Sequence, residues 1–218
     1  MQYLGETLRL EHNLAKADIA DRQALAIKEK LLGNDDPHTE DAVDKLLWVL
    51  EDEGKVSEAE TMAREALTSA RQATANYAPR LENRQANLAN ILRGEGRYLD
   101  AEMLYREALV NARQFDTNDP GILELRAADV ASVLCPQRKY PEAEALYREA
   151  LALARKIVTN DPHTFSTATT DLQEILQNLS EVLFKEGKLA EAESLKTEAL
   201  RLTKEHIEGT FLTNRVSK

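Results

Sequence analysis

The stretch from Tyr98 to Leu109 reads YLDAEMLYREAL, and that from Tyr140 to Leu151 reads YPEAEALYREAL; nine of the twelve positions are identical. Both belong to a longer series. The closing Ala-Leu pair recurs at Ala24-Leu25, Ala66-Leu67, Ala108-Leu109, Ala150-Leu151 and Ala199-Leu200, the leucines lying 42, 42, 42 and 49 residues apart. An alanine followed by an acid precedes each, at Ala17-Asp18, Ala59-Glu60, Ala101-Glu102, Ala143-Glu144 and Ala192-Glu193. Prolines fall in the same frame at Pro37, Pro79, Pro120 and Pro162, and glycines mark a second turn at Gly54, Gly96 and Gly187. A fixed period of this length restricts the fold more than any local motif. Each unit can bury its apolar face only against a neighbour of nearly the same sequence.

Each unit reads as two helices. Asp36-Pro37, Asp119-Pro120 and Asp161-Pro162 set a capping acid before a proline whose missing N–H costs nothing in a first helical turn. About 17 residues on, a glycine and a basic residue end that helix, because glycine accepts the left-handed conformation that reverses the chain. A second helix then presents small residues on one face, as at Ala59, Ala63 and Ala66, with Tyr105 and Tyr147 filling wider gaps. Glycines (8) and prolines (6) are few, aromatics are 5%, and no stretch alternates long enough to be a strand. The fold class is all-α.

A net charge of −10 argues against nucleic acid and against anionic membrane surfaces as partners. The longest apolar runs, such as Leu46–Leu50, are too short to span a bilayer, and the first residues lack a signal-peptide pattern. A single cysteine, Cys135, fits a reducing compartment, so a cytoplasmic location is expected.

The unit resembles the tetratricopeptide repeat, in the 42-residue form found in kinesin light chains and in fungal and bacterial signalling proteins. The resemblance rests on Asn87–Arg113 and on the DPHT that occurs at 36–39 and again at 161–164. The first-helix signature of leucine, small residue and bulky residue is matched at Leu4-Gly5…Leu8, Leu88-Ala89…Leu92, Val130-Ala131…Leu134 and Leu179-Ser180…Leu183. Leu46-Leu47…Leu50 departs from it, since Leu47 is large where a small residue is usual, and local spreading is expected there. The resemblance implies a right-handed α-solenoid of five repeats over 1–207, at about 1–33, 34–75, 76–117, 118–159 and 160–207. A flexible tail is expected at 208–218. The first repeat is incomplete, as if the array began mid-repeat.

Two irregularities carry further expectations. From Pro162 to Gly187 the chain is seven residues longer than the frame requires. A lengthened helix keeps the phase of Phe165, Ala168, Leu172, Ile175, Leu176 and Leu179, while the Ser/Thr cluster at 164–170 argues for a loop and a cap at Thr170. Arg138 takes the place of the turn glycine, at a cost of about 1 kcal/mol if the turn keeps its geometry.

No phosphate-binding glycine loop, nucleophile elbow, zinc-protease motif or paired-cysteine site is present, so no catalytic, metal or cofactor site is expected. Of His12, His38, His163 and His206, two recur in the DPH turn and read as repeat punctuation. Cys135 has no base partner placed by sequence, and it reads as a packed or rim thiol.

The resemblance puts the first helices along a concave groove. Residues opposite the Leu/Ala packing positions then face it: Gln2, Glu6 and Arg9; Asp41, Asp44, Trp48 and Glu51; Asn83, Ala86, Asn90 and Arg93; Leu125, Ala128 and Ser132; Glu174, Gln177 and Glu181. In kinesin-light-chain-like arrays asparagines along this groove grip the backbone of an extended peptide, since a carboxamide both donates and accepts. Asn83, Asn87, Asn90, Gln177 and Asn178 fit that role, or are helix-end residues. Repeats two and four depart, with Asp44-Lys45 and Ala128-Asp129 where the family favours paired asparagines. The groove reads as acidic at its ends and neutral, partly apolar, in the middle. Trp48, the one tryptophan, is either a groove anchor or part of the packing of LLWVL.

The functional expectation is a non-catalytic interaction module that binds a peptide or partner domain in the groove. The alternative is a regulatory array at the C-terminal end of a larger nucleotide-binding signalling protein, whose other domains would then be its partners.

Overall fold

The computed structural model describes residues 13–34, 36–72, 78–115, 119–160 and 165–216, with side chains except at 78–80, 159–160, 165–168 and 205–216. The first helix expected within 1–12, with Gln2, Glu6 and Arg9, lies outside the described residues, as does the Asp161-Pro162 cap. Among the described residues the regular elements are nine helices: α1 (Leu14–Leu32), α2 (Pro37–Asp52), α3 (Val56–Gln72), α4 (Ala78–Gly94), α5 (Tyr98–Phe115), α6 (Pro120–Leu134), α7 (Tyr140–Asn160), α8 (Phe165–Lys185) and α9 (Leu189–Val216). Each packs on its neighbours in sequence, and the result is an all-α solenoid of helix pairs. No helix among the described residues is long and apolar enough to cross a membrane.

The caps and turns form as the residue types require. The Asp36 carboxylate accepts from the His38 N–H at 2.8 Å, and Asp119 accepts from Gly121 and Ile122 at 2.9 and 3.3 Å. Where first and second helices join, Gly54, Gly96 and Gly187 have φ of 74°, 76° and 80°, and Arg138 has 60°. The hydrogen bonding is the same in glycine and arginine versions. Gly96 N–H donates to Arg93 O and Arg97 N–H to Leu92 O; Arg138 donates to Cys135 O and Lys139 to Leu134 O. Arginine is therefore held where glycine belongs, by a turn that the flanking packing fixes.

The core repeats with the same register. Leu88, Ala89 and Leu92, Val130, Ala131 and Leu134, and Leu179, Ser180 and Leu183 are all buried, as are Ala101, Tyr105, Ala108, Ala143, Tyr147 and Ala150 opposite them. Small side chains at the crossing allow close approach, and Ser180 Oγ–H reaches the carbonyl of Ala192 at 2.9 Å. In the second repeat Leu47 occupies that crossing, and α2 and α3 touch least of the four paired helices. Ala66 is half-buried there, whereas Ala108, Ala150 and Ala199 are buried.

The insertion lengthens α8 to 21 residues, and Leu172, Ile175, Leu176 and Leu179 keep the buried stripe. The helix begins upstream of Thr170, so no cap falls there. Helix α9 does not stop at 207 but continues to Val216, because no proline intervenes and a lone Gly209 costs only about 1 kcal/mol.

The alanine-acid pairs acquire a physical role. The acids of the first four pairs accept from the basic residue that follows the next turn: Lys55 to Asp18 at 2.7 Å, Arg97 to Glu60 at 2.8 Å, Lys139 to Glu102 at 2.8 Å and Lys188 to Glu144 at 2.6 Å. A second set joins successive second helices, Arg22 to Glu58, Arg71 to Glu107, Arg106 to Glu142 and Arg113 to Glu149, each 36 residues apart. Across the insertion the spacings become 43, for Arg148–Glu191 and Arg155–Glu198, and 44 for Lys188–Glu144. The ladder absorbs seven residues without losing step, because two extra helical turns leave the packing face in phase.

Candidate functional site

Of the expected groove residues, Trp48, Glu51, Asn90, Arg93, Leu125, Ala128, Ser132, Glu174 and Asn178 line two adjoining depressions formed with α2, α4, α6 and α8. Trp48 is 51% exposed, although Leu46, Leu47, Val49 and Leu50 around it are buried. With Glu51, Asn90, Arg93, Ser132 and Pro136 it lines a shallow depression spanning α2, α4 and α6. A deeper cavity of about 650 Å³ continues toward α8, walled by Arg93, Ala128, Ser132, Tyr147, Ile175 and Asn178. Gln177 and Glu181 are exposed further along, beside the α8–α9 junction. Ala86, expected to face the groove, is buried in the packed layer.

The asparagines are engaged within the fold. Asn83 accepts from Arg126 at 2.8 Å, Asn87 donates to Asp44 at 2.7 Å, and Asn90 accepts from the Tyr105 hydroxyl at 2.6 Å. Asp44 also accepts from Arg84 at 2.6 Å, and Asp41 from Lys45 and Lys28 at 3.1 and 3.4 Å. Burial holds the Asp44 carboxyl above its ordinary value despite Arg84. Asp41 pays less desolvation than its two lysines return, and it titrates below its usual value. Asn83 and Asn87 thus tie adjacent first helices together, and Asn90 ties its helix to the second helix of its own repeat.

Below this layer lie charges that the groove periodicity missed. Arg126, buried, donates to buried Glu82, to Asp129 at 2.8 Å and to Asn83. Glu124 is 7% exposed and lines the deeper cavity with Asp119, Asp129, Asp171 and Glu174. Burial, then the charges of Asp171, Asp129 and Glu174, push its carboxyl up to about 7. The middle of the groove is therefore acidic at depth, not neutral. The signal was in the repeat frame: Glu40, Glu82 and Glu124 are spaced by 42, and so are Ala42, Arg84 and Arg126. Cys135 is half-buried and burial pushes its thiol up to about 11, which keeps it protonated and unreactive at neutral pH.

Comparison with known proteins agrees with this architecture. The family described as tetratricopeptide repeat matches at residues 1–38 and 126–163. A kinesin-light-chain-like protein of Podospora anserina with nearly identical repeats superposes with a TM-score of 0.71, at 16% identity over 95% of this chain and 94% of that one. RapI in its apo form gives 0.73 at 16% identity, covering 97% of this chain and 72% of that chain. PlcR of Bacillus thuringiensis, in complex with the peptide PapR7 and DNA, gives 0.66 at 12% identity over 98% and 72%. No curated protein matches the chain in sequence. Two segments of the chain thus match the tetratricopeptide repeat in sequence, and the whole chain shares the fold of the kinesin-light-chain-like array.

Proposed function

We propose that this array is a non-catalytic binding module, cytoplasmic, that holds an extended peptide or a peptide-like segment of a partner protein along the first-helix groove. The observation that carries the reading is Trp48, half-exposed although Leu46, Leu47, Val49 and Leu50 beside it are buried, and lining one depression with Arg93. An aromatic anchor beside a charged one is the residue pairing that dominates binding hot spots. The bound peptide in the PlcR structure supports the reading by likeness of fold.

The test is a paired pull-down with mass spectrometry from the source cytosol, using the wild type and a Trp48→Ala/Arg93→Ala variant of equal helicity. Both side chains are exposed, so the variant retains the fold. Loss of specific partners with the variant is the expected result. Retention of the same partners would move recognition to the outer face or the termini.

A further inference from the structure

Glu124 has an internal precedent. One repeat earlier the equivalent Glu82 is buried against the guanidinium of Arg126, on the next first helix. Adding the same helix-to-helix step to Glu124, with the seven-residue insertion, brings Arg126 onto Ile175. Ile175 is buried and lines the cavity into which Glu124 faces. The fold thus keeps the carboxylate and replaces its arginine with a hydrocarbon. No donor among the described residues reaches Glu124, and the groups acting on it are Asp129, Asp171 and Glu174.

A carboxyl largely withdrawn from water, with no donor among the described residues, is costly, and it is retained where something else neutralises it. The charged groups on the cavity wall are Arg93 on α4, Asp119 and Asp129 at α6, Lys156 on α7, and Asp171 and Glu174 on α8. Asp129 is already bonded to Arg126. Asp119 caps α6, so among the carboxylates Glu124, Asp171 and Glu174 remain as the acidic side of a cavity wide enough for an extended side chain, while neither Arg93 nor Lys156 on its wall acts on Glu124.

Taking the groove as a peptide site, we propose that this pocket receives the guanidinium of an arginine side chain in the bound peptide, with Glu124 as its buried partner. Arginine fits better than lysine because its planar fork can bridge two carboxylates at once, and because it is the less strongly hydrated cation. The pocket then does with a ligand what Glu82 does with Arg126. Binding requires ionised Glu124, so affinity rises as pH increases from 6 to 8.

The experiment pans a nine-residue random peptide library, displayed on phage in 150 mM salt at pH 8, against the full chain and its Glu124→Gln variant. Peptides carrying arginine at one fixed position are expected from the wild type and not from the variant. Synthesised with citrulline in place of that arginine, the best peptide should bind at least tenfold more weakly. Its affinity for the wild type should fall at pH 6, and its affinity for Glu124→Gln should be independent of pH. An Ile175→Arg variant, which supplies the missing guanidinium from within, should fail to bind while remaining folded by circular dichroism. Selected peptides without a basic position, or with equal affinity for wild type and Glu124→Gln, would overturn the arginine pocket and leave the groove standing. No enrichment of any peptide would overturn both.

Discussion

The outer and inner faces of this solenoid are built from the same ion types and obey different rules. On the second helices, acids and bases pair at fixed spacings in every repeat, with side chains such as Arg113 and Glu149 that are 48% and 40% exposed. On the first helices, pairing is individual: Arg84 with Asp44, Arg126 with Glu82, and Glu124 with nothing from the described fold. Exposed pairs contribute about 0–1 kcal/mol each, so the outer ladder sets register more than stability. Buried charges are individually costly, so irregularity among them marks where sequence has been spent on something other than stacking. The comparison separates scaffold from site.

The largest effect that would break the comparison lies where the two faces meet. Tyr105, fully buried between stacked helices with its hydroxyl on Asn90, should cost about 3–5 kcal/mol as Tyr105→Ala in chemical denaturation. An unfolding midpoint equal to the wild type would show that the stack does not depend on it. On the inner face, Arg126→Met removes the guanidinium from buried Glu82 and should cost about 3 kcal/mol, while the double change with Glu82→Met restores most of the loss. Additive losses in that cycle would mean that the pair is not a unit.

The faces also differ in the sign of their pH response. Glu144, outside, is held at about 2 by Lys188 and Arg148, so it contributes stability above its unfolded value near 4.5 and loses it as pH falls toward 2. Glu124, inside, is raised to about 7, so its burden is absent below about 4.5 and grows as pH rises through 7. Glu124→Gln should stabilise the fold by about 1–2 kcal/mol at pH 8, after screening, and leave it unchanged at pH 4.5. Melting curves at the two pH values decide it. Smaller still, Arg138→Gly should gain about 1 kcal/mol by relieving its left-handed backbone. Arg113→Ala should cost less than about 1 kcal/mol, fading at high salt.

The sequence carried the fold because every stacking feature repeats. The alanines, the Asp-Pro caps, the turn glycines and even Arg138 could be read from the period alone, and the large Leu47 marked the looser α2–α3 contact in advance. The candidate site was legible only in part. Periodicity indicates which residues point inward, so Trp48, Arg93, Ser132 and Asn178 were placed on the groove wall. It does not say which inward residues are consumed by their neighbours, and Asn83, Asn87 and Asn90 are each bonded across or within repeats. Glu124 escaped notice because one step around the helix separates groove-facing Leu125 from a residue facing a cavity that only the lengthened α8 completes. Its meaning depends on a substitution, Ile175 for arginine, that shows only when repeats are aligned across the insertion.

Trp48 provides the most direct test of the groove, because it is the chain's one tryptophan and lies at its opening. A library-selected peptide would be titrated with the full chain while fluorescence anisotropy of a peptide label and Trp48 emission are recorded together. If the first-helix face is the binding surface, Trp48 emission shifts to shorter wavelength with the same saturation curve as the anisotropy. Saturating anisotropy with unchanged Trp48 emission would contradict a groove that runs past Trp48 and place the ligand elsewhere on the solenoid.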